Sequence, residues 1–212
     1  MAMASFLTRG PPAGFTDRRE AGRRLAERLA PYADENPVIL ALPRGGVPVA
    51  AEIAEALHAT LDLVLVRKIG VPGNPELAAA AVVDGERPEM VINNDVARLV
   101  RLPDSYLQRE REEKLDEIAR RRARYLGSRA SVPVEGRTAI LVDDGLATGT
   151  TARAALKALY RRQPALVVLA VPVAPEDTCR ALAQEVDALV CLLRLRDFGA
   201  LGQFYADFTQ VG

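Results

Sequence analysis

The stretch from Thr138 to Thr151 constrains this chain more than any other: an apolar run, Thr138 to Val142, then Asp143-Asp144-Gly145-Leu146-Ala147-Thr148-Gly149-Thr150-Thr151. The run is short, apolar and partly β-branched, which suits a strand covered on both faces of a parallel sheet. From Thr150 onward, Ala154, Ala155, Ala158 and Leu159 recur at helical spacing, while Arg153, Lys157, Arg161 and Arg162 can face water. The segment between is therefore a strand-to-helix turn at a carboxyl-terminal strand end, where open α/β sheets bind their ligands. The amides that open the helix, with the hydroxyls of Thr148, Thr150 and Thr151, suit an anion such as phosphate. Asp143 and Asp144 would repel a bare phosphate. They suit sugar hydroxyls, or a hydrated Mg²⁺ beside them, so phosphate and diol together point to a ribose 5-phosphate.

Strand and helix patterns alternate along the rest of the chain. Asp17 to Tyr32 predicts an amphipathic helix, Val38 to Leu42 a strand, Pro43 to Val47 a glycine-rich turn, Pro48 to Ala59 a helix and Leu61 to Val66 a strand. Further strands are expected at Met90 to Asn93, Leu166 to Val171 and Leu189 to Leu193. The expected fold class is α/β, a doubly wound and mainly parallel sheet, with strand 38–42 beside strand 138–142 and a crevice between their ends. A chain of 212 residues with 49% hydrophobic content suits a single domain over 1–212, with a core of about 15–171 and a small appendage.

Charge narrows the partners. The 28 basic and 28 acidic residues cancel, so no global field selects nucleic acid or an anionic membrane, and neither is an expected partner. Asp104 to Leu126 predicts a highly charged helix. Its cluster Arg120, Arg121, Arg122 and Arg124 sits among Glu110, Glu112, Glu113, Asp116 and Glu117, the pattern of a solvated or subunit-contacting helix, with a homodimer as the candidate assembly. Cys179 and Cys191 lack metal-type spacing and read as reduced thiols, which suits a cytoplasmic location. Met1 to Phe6 carries no apolar leader core, and no stretch has the length of a membrane span.

Two nucleotide-binding alternatives fail on residues. A Walker loop needs lysine after its second glycine, where Thr150 follows Gly149, and the G-x-G-x-x-G spacing is missing. Four apolar residues, two acids and a small-small-Thr-Gly-x-Thr turn instead resemble the 5-phosphoribosyl 1-pyrophosphate (PRPP) signature of type I phosphoribosyltransferases. The wording Arg-Lys-Ile-Gly, Gly-Asn-Pro-Glu-Leu and Gly-Gln-Phe-Tyr-Ala-Asp-Phe extends the resemblance over nearly the whole chain, to bacterial members of unassigned acceptor.

The resemblance implies the family's Rossmann-like fold, with a hood from the N-terminal segment and 172–212. It also implies PRPP-dependent transfer to a nitrogenous acceptor with loss of pyrophosphate, and so a place in nucleotide metabolism. Asp143, Asp144, Arg44 and Lys68 would be catalytic. PRPP would be held by Gly145, Ala147, Thr148, Gly149, Thr150, Thr151, Gly45, Gly46 and Arg67. Mg²⁺ would be carried by PRPP and water near Asp143 and Asp144, without direct protein ligation. Leu42-Pro43-Arg44-Gly45-Gly46 leaves two amides uncovered beside a fixed cation, and resembles the family's pyrophosphate loop, where the peptide often adopts an unusual conformation.

Val66-Arg67-Lys68 resembles the start of the flexible catalytic loop of orotate phosphoribosyltransferases, which implies a loop over 69–81. Pro72, Gly73 and Pro75 would shape it into a lid that excludes water. Ala147 stands where hypoxanthine-guanine enzymes carry an acid, and Pro172 to Pro175 lacks the lysine with which 6-oxopurine enzymes read their base. The carboxyl-terminal Phe198, Phe204, Tyr205 and Asp207, with Phe208 beside them, are the expected acceptor site: the aromatics could stack on a flat acceptor while Asp207 accepts hydrogen bonds. The same aromatics would equally suit a tail packed on the core. Two alternatives share the fold: a regulator that senses PRPP or a nucleotide, and a phosphosugar hydrolase with water as acceptor.

Overall fold

The computed structural model describes residues 14–85 and 88–211, apart from the side chains of Pro75 and Glu76. The first part of the expected hood, through residue 13, and the leader reading at Met1 to Phe6 lie outside the described residues.

Helix α1 (Arg18–Leu29) begins where the Asp17 carboxylate accepts the Glu20 amide at 2.7 Å, and Leu25 and Leu29 bury fully along its inner face. A 3₁₀ turn, Ala30–Glu35, completes the helix expected to Tyr32. Strand β1 (Val38–Ala41), helix α2 (Gly46–Ala56) and strand β2 (Thr60–Leu63) form the first βαβ unit. The later chain supplies β6 (Thr138–Val142), α5 (Thr150–Tyr160), β7 (Leu166–Pro175), α6 (Glu176–Leu182) and β8 (Ala188–Leu195). All five strands are parallel, in the order β2-β1-β6-β7-β8, with Val38 opposite Ala139 and Ala41 opposite Val142. Strand β6 is buried along its whole length, as its uninterrupted apolar run requires.

Between these halves the chain leaves the parallel sheet. Strands β3 (Val66–Val71), β4 (Asn74–Val83) and β5 (Glu89–Ile92) make a separate antiparallel sheet. Three expectations change here. The strand expected over 61–66 divides between two sheets. The flexible lid expected over 69–81 is a hairpin that turns at Pro72-Gly73, with Lys68 opposite Ala81. The strand near Met90 joins this small sheet instead of the central one. The small sheet is covered on both faces. Ile69, Ala80 and Val82 pack on Leu107 and Ile118 of α4 (Asp104–Leu126), while Val66, Ala81 and Val83 pack on Ala154 and Ala158 of α5. A short helix, α3 (Asn94–Leu99), links β5 to α4.

The basic cluster of α4 is not wholly solvated. Arg122 turns inward, 2.7 Å from the Asp84 carboxylate and 3.3 Å from that of Asp62, two acids only 6% and 3% exposed. Asp84 also accepts the Leu65 amide, and Asp62 those of Leu63 and Val132. One guanidinium thus ties the parallel sheet, the small sheet and α4 together. Cys179 and Cys191, distant in sequence, are free thiols in contact where α6 packs on β8.

Candidate active site

The register of β1 against β6 releases two loops side by side. Leu42 donates its amide to the Val142 carbonyl at 2.9 Å, and the chains then diverge into Pro43-Arg44-Gly45 and Asp143-Asp144-Gly145. The loops meet so closely that a Cβ at Gly45 would overlap the Asp144 carboxylate, which explains the glycine after Arg44. The Pro43-Arg44 peptide is cis.

Asp143 and Asp144 differ sharply in surroundings. The Asp143 carboxyl is pushed well above the usual carboxylate range, first by burial and then by the charge of Asp144. Asp143 Oδ1 also accepts the Asp144 amide at 2.9 Å. Asp144 is 8% exposed and lies 2.7 Å from the Nε of Arg18. The Phe208 ring covers that guanidinium at 3.8 Å, and the Thr209 carbonyl accepts from Arg18 Nη1 at 3.0 Å. The Tyr205 hydroxyl donates to the Asp144 carbonyl, and burial pushes the Tyr205 phenol far up.

The turn beyond the acids opens α5. Gly149 takes a left-handed conformation, φ 69°, and the Thr148 and Thr150 hydroxyls meet at 3.0 Å. Thr178 donates to the Ala147 carbonyl at 2.9 Å and fastens the turn to α6. Ala147, Thr148 and Thr150 are exposed beside the first turn of α5, whose amides have no partner within the helix.

Arg18, Arg44, Gly45, Asp143, Asp144, Thr151 and Phe208 line one crevice of about 490 Å³. Gly145, Ala147, Thr148 and Gly149 in the second loop, and Gly46 and Thr150 at the starts of α2 and α5, stand next to that lining in sequence without being part of it. The other expected residues lie elsewhere. Arg67 pairs with Glu117 of α4 at 2.8 Å, because its place in β3 turns it toward Ile69 and the α4 face. Lys68 is exposed on the opposite face of β3, outside the crevice lining and without an ion-pair partner among the described residues.

The expected acceptor platform is also altered. Phe198 and Phe204 stack on each other at 5.6 Å, in a cluster with Phe15, Leu201 and the 5%-exposed Tyr205. Asp207 is exposed and accepts the Thr209 amide at 3.0 Å, which holds its carboxyl below the ordinary range. Phe198, Phe204 and Tyr205 form the apolar centre of a carboxyl-terminal cap, and Phe208 is the aromatic that reaches the crevice.

Arg18 is the site residue that sequence reading missed. Its signal was a cation at the first position of a helix, where the dipole disfavours positive charge unless an acid compensates it. Among the described residues no three His, Cys, Asp or Glu side chains form a metal cage, and no helix is long and apolar enough to cross a membrane.

A five-stranded parallel sheet flanked by helices, with two loops diverging side by side at its carboxyl edge, defines a doubly wound α/β domain whose ligand crevice lies at that edge. Residues 16–209 match the family model of the phosphoribosyl transferase domain, and the chain belongs to that family. Two Mycobacterium tuberculosis proteins, from strains CDC 1551 and H37Rv and provisionally named phosphoribosyl transferases, are each 45% identical to it over 92% of this chain. The match spans 44% of the length of each of those proteins. The crystal structure of TT1426 from Thermus thermophilus superposes with a TM-score of 0.82 at 45% identity, over 94% of this chain and 93% of that one. AQ2163 from Aquifex aeolicus, at 13% identity and a TM-score of 0.52 over 89% of this chain and 85% of that one, shares the fold alone.

Proposed function

We propose that the chain transfers the 5-phosphoribosyl group of PRPP to a nitrogenous acceptor, such as a nucleobase, with release of pyrophosphate. The observation that carries this reading is the crevice that Arg44 and Gly45 of one loop line together with Asp143 and Asp144 of the other and Thr151 in the first turn of α5. In the reaction the bond from the anomeric carbon to pyrophosphate oxygen breaks and a bond to acceptor nitrogen forms. Pyrophosphate leaves with the bonding electron pair, and the acceptor's proton passes to solvent.

Each group acts on charge or position. The 147–151 turn would hold the 5-phosphate as a remote handle that fixes the sugar. Asp144, and Asp143 once ionised, would orient the ribose hydroxyls and favour the positive charge that develops on the ring. Arg18 holds Asp144 in place and moderates the repulsion between the two acids. Arg44 with the Gly45 and Gly46 amides would take the charge that grows on pyrophosphate. Lys68 could join them only if the β3–β4 hairpin bends toward the crevice.

The crevice offers oxygen donors only, which fits Mg²⁺ carried by the diphosphate, through water, beside Asp143 and Asp144. When bound, that ion supplies charge neutralisation at the departing diphosphate. Ala147 places no acid or base in the turn, so the acceptor must arrive as its own nucleophile or lose its proton to water.

A PRPP-sensing role gains from one observation: Lys68 and Arg67 stand outside the crevice, which leaves Arg44 as the only cation on the pyrophosphate side among the described lining residues. Incubation of the protein with PRPP, Mg²⁺ and a panel of bases and amines, followed by pyrophosphate release and product mass, separates the readings. Transfer predicts a new nucleotide with one class of acceptor, and loss of release in Asp144→Asn. Release without an acceptor would mean hydrolysis. PRPP binding without any release would mean sensing.

A further inference from the structure

Beside the crevice lies a second cavity, of about 260 Å³, that the proposed transfer leaves unused. Its walls are Val47 at the start of α2, Leu61 and Leu63 of β2, and Tyr125 and Leu126 at the end of α4. The acid that reaches it, Asp62, is already satisfied by Arg122 and by the amides of Leu63 and Val132 at 2.8 Å. That wall therefore asks for no cation. Arg44 and Arg129 also line the cavity, both exposed and both without an ion-pair partner among the described residues. The site, which Val211 also lines, thus combines an apolar body with two guanidinium groups that no described residue engages. Its volume falls just under the range of drug-sized pockets, about 300–1,000 Å³, and suits one ring with a short substituent.

We infer that this cavity binds a single-ring aromatic carboxylate, with the ring among Leu61, Leu63, Tyr125 and Leu126 and the carboxylate on Arg129 and Arg44. Tyr125 offers a face or edge for the ring, and the guanidinium fork matches a carboxylate. The ligand would not be the acceptor. Arg44 and Pro43 line both cavities, so the pyrophosphate loop stands between this pocket and the acids that hold the sugar. A carboxylate on Arg44 instead competes with pyrophosphate for the same cation. The site is therefore an inhibitory one, and this competition rests on the function proposed above.

The test uses the whole chain with phenylacetate and benzoate as probes and benzyl alcohol as the uncharged control, read by ligand-observed NMR and calorimetry. At least one acid should bind at millimolar concentration or below, about tenfold tighter than the alcohol. Arg129→Ala should weaken it by about the same factor, Leu126→Trp should fill the cavity and abolish binding, and pyrophosphate should displace the probe. No binding by either acid would overturn the inference. So would equal binding of acid and alcohol, unchanged affinity in both variants, or failure of pyrophosphate to compete. PRPP affinity, measured without probe, tests the proposed function separately, because the probe titrations need no PRPP.

Discussion

Replacing Arg18 by methionine isolates the one charge that sequence reading did not assign to the site. Methionine keeps an apolar stem under Phe208 and removes the guanidinium. The Arg18 and Asp144 side chains are 10% and 11% exposed, so the pair is close to buried and is not screened like a surface bridge. Breaking a buried pair from one side costs about 3–5 kcal/mol, and the residual exposure here argues for the lower end, about 3 kcal/mol. The stacking on Phe208 at 3.8 Å and the bond to the Thr209 carbonyl are lost as well, and each lies within the spread of that figure. For a domain of this size about 3 kcal/mol lowers Tm by roughly 6–12 °C. Thermal unfolding followed by circular dichroism, in parallel with Asp144→Asn and the double variant, tests the reasoning. The double variant should recover about 2 kcal/mol of the sum of the single losses, because one partner no longer strands the other. Additive losses, or a Tm within a degree or two of the parent for Arg18→Met, would refute the claim that this pair organises the crevice.

Three further outcomes follow from buried polar groups. The folded Asp143 carboxyl sits above its unfolded value, so its neutral form contributes stability at low pH, and that contribution is lost as pH rises through the raised value. Asp143→Asn should therefore gain stability relative to the parent as pH rises from acid to neutral, while pyrophosphate release falls; parallel stability curves in a denaturant series across pH would refute this. Arg122→Met should cost about 3–5 kcal/mol, because Asp62 and Asp84 keep their burial and lose their cation, and a denaturant midpoint close to the parent's would contradict it. Tyr205→Phe removes a hydroxyl that ties the cap to the Asp144 carbonyl and should lower stability by about 1 kcal/mol, with a larger loss of PRPP affinity than of global stability.

The parallel sheet was legible because its three inner strands, β1, β6 and β7, are nearly continuous apolar runs with glycine or proline close to their ends. Thr138 to Val142 could be read as buried before any neighbour was known, and the pairing of 38–42 with 138–142 followed from the turns that each precedes. The small sheet was hidden for a compositional reason. Ala78 to Ala81 in β4 give no contrast between faces, so alternation could not be seen, and a hairpin sandwiched between α4 and α5 looked like a loop. Arg67 was misplaced by the same error, since a residue's face in a strand is fixed only once the strand is recognised. The acids and the threonine turn were legible from local chemistry alone. Arg18 was not, because it reaches the crevice through long-range packing of α1 against the carboxyl-terminal cap. The aromatic run at 198–208 announced a cluster, but not which ring would face the ligand.

Calorimetric titration of PRPP with Mg²⁺ into the parent protein and into Gly45→Val tests the central claim most directly. The valine side chain would occupy the space of the Asp144 carboxylate and force the two loops apart without removing any charged group. The account predicts saturable one-to-one binding by the parent, and loss of at least about tenfold in affinity in the variant at an unchanged fold. No PRPP binding by the parent, or equal affinity in a folded Gly45→Val, would contradict the claim that these two loops form one PRPP site.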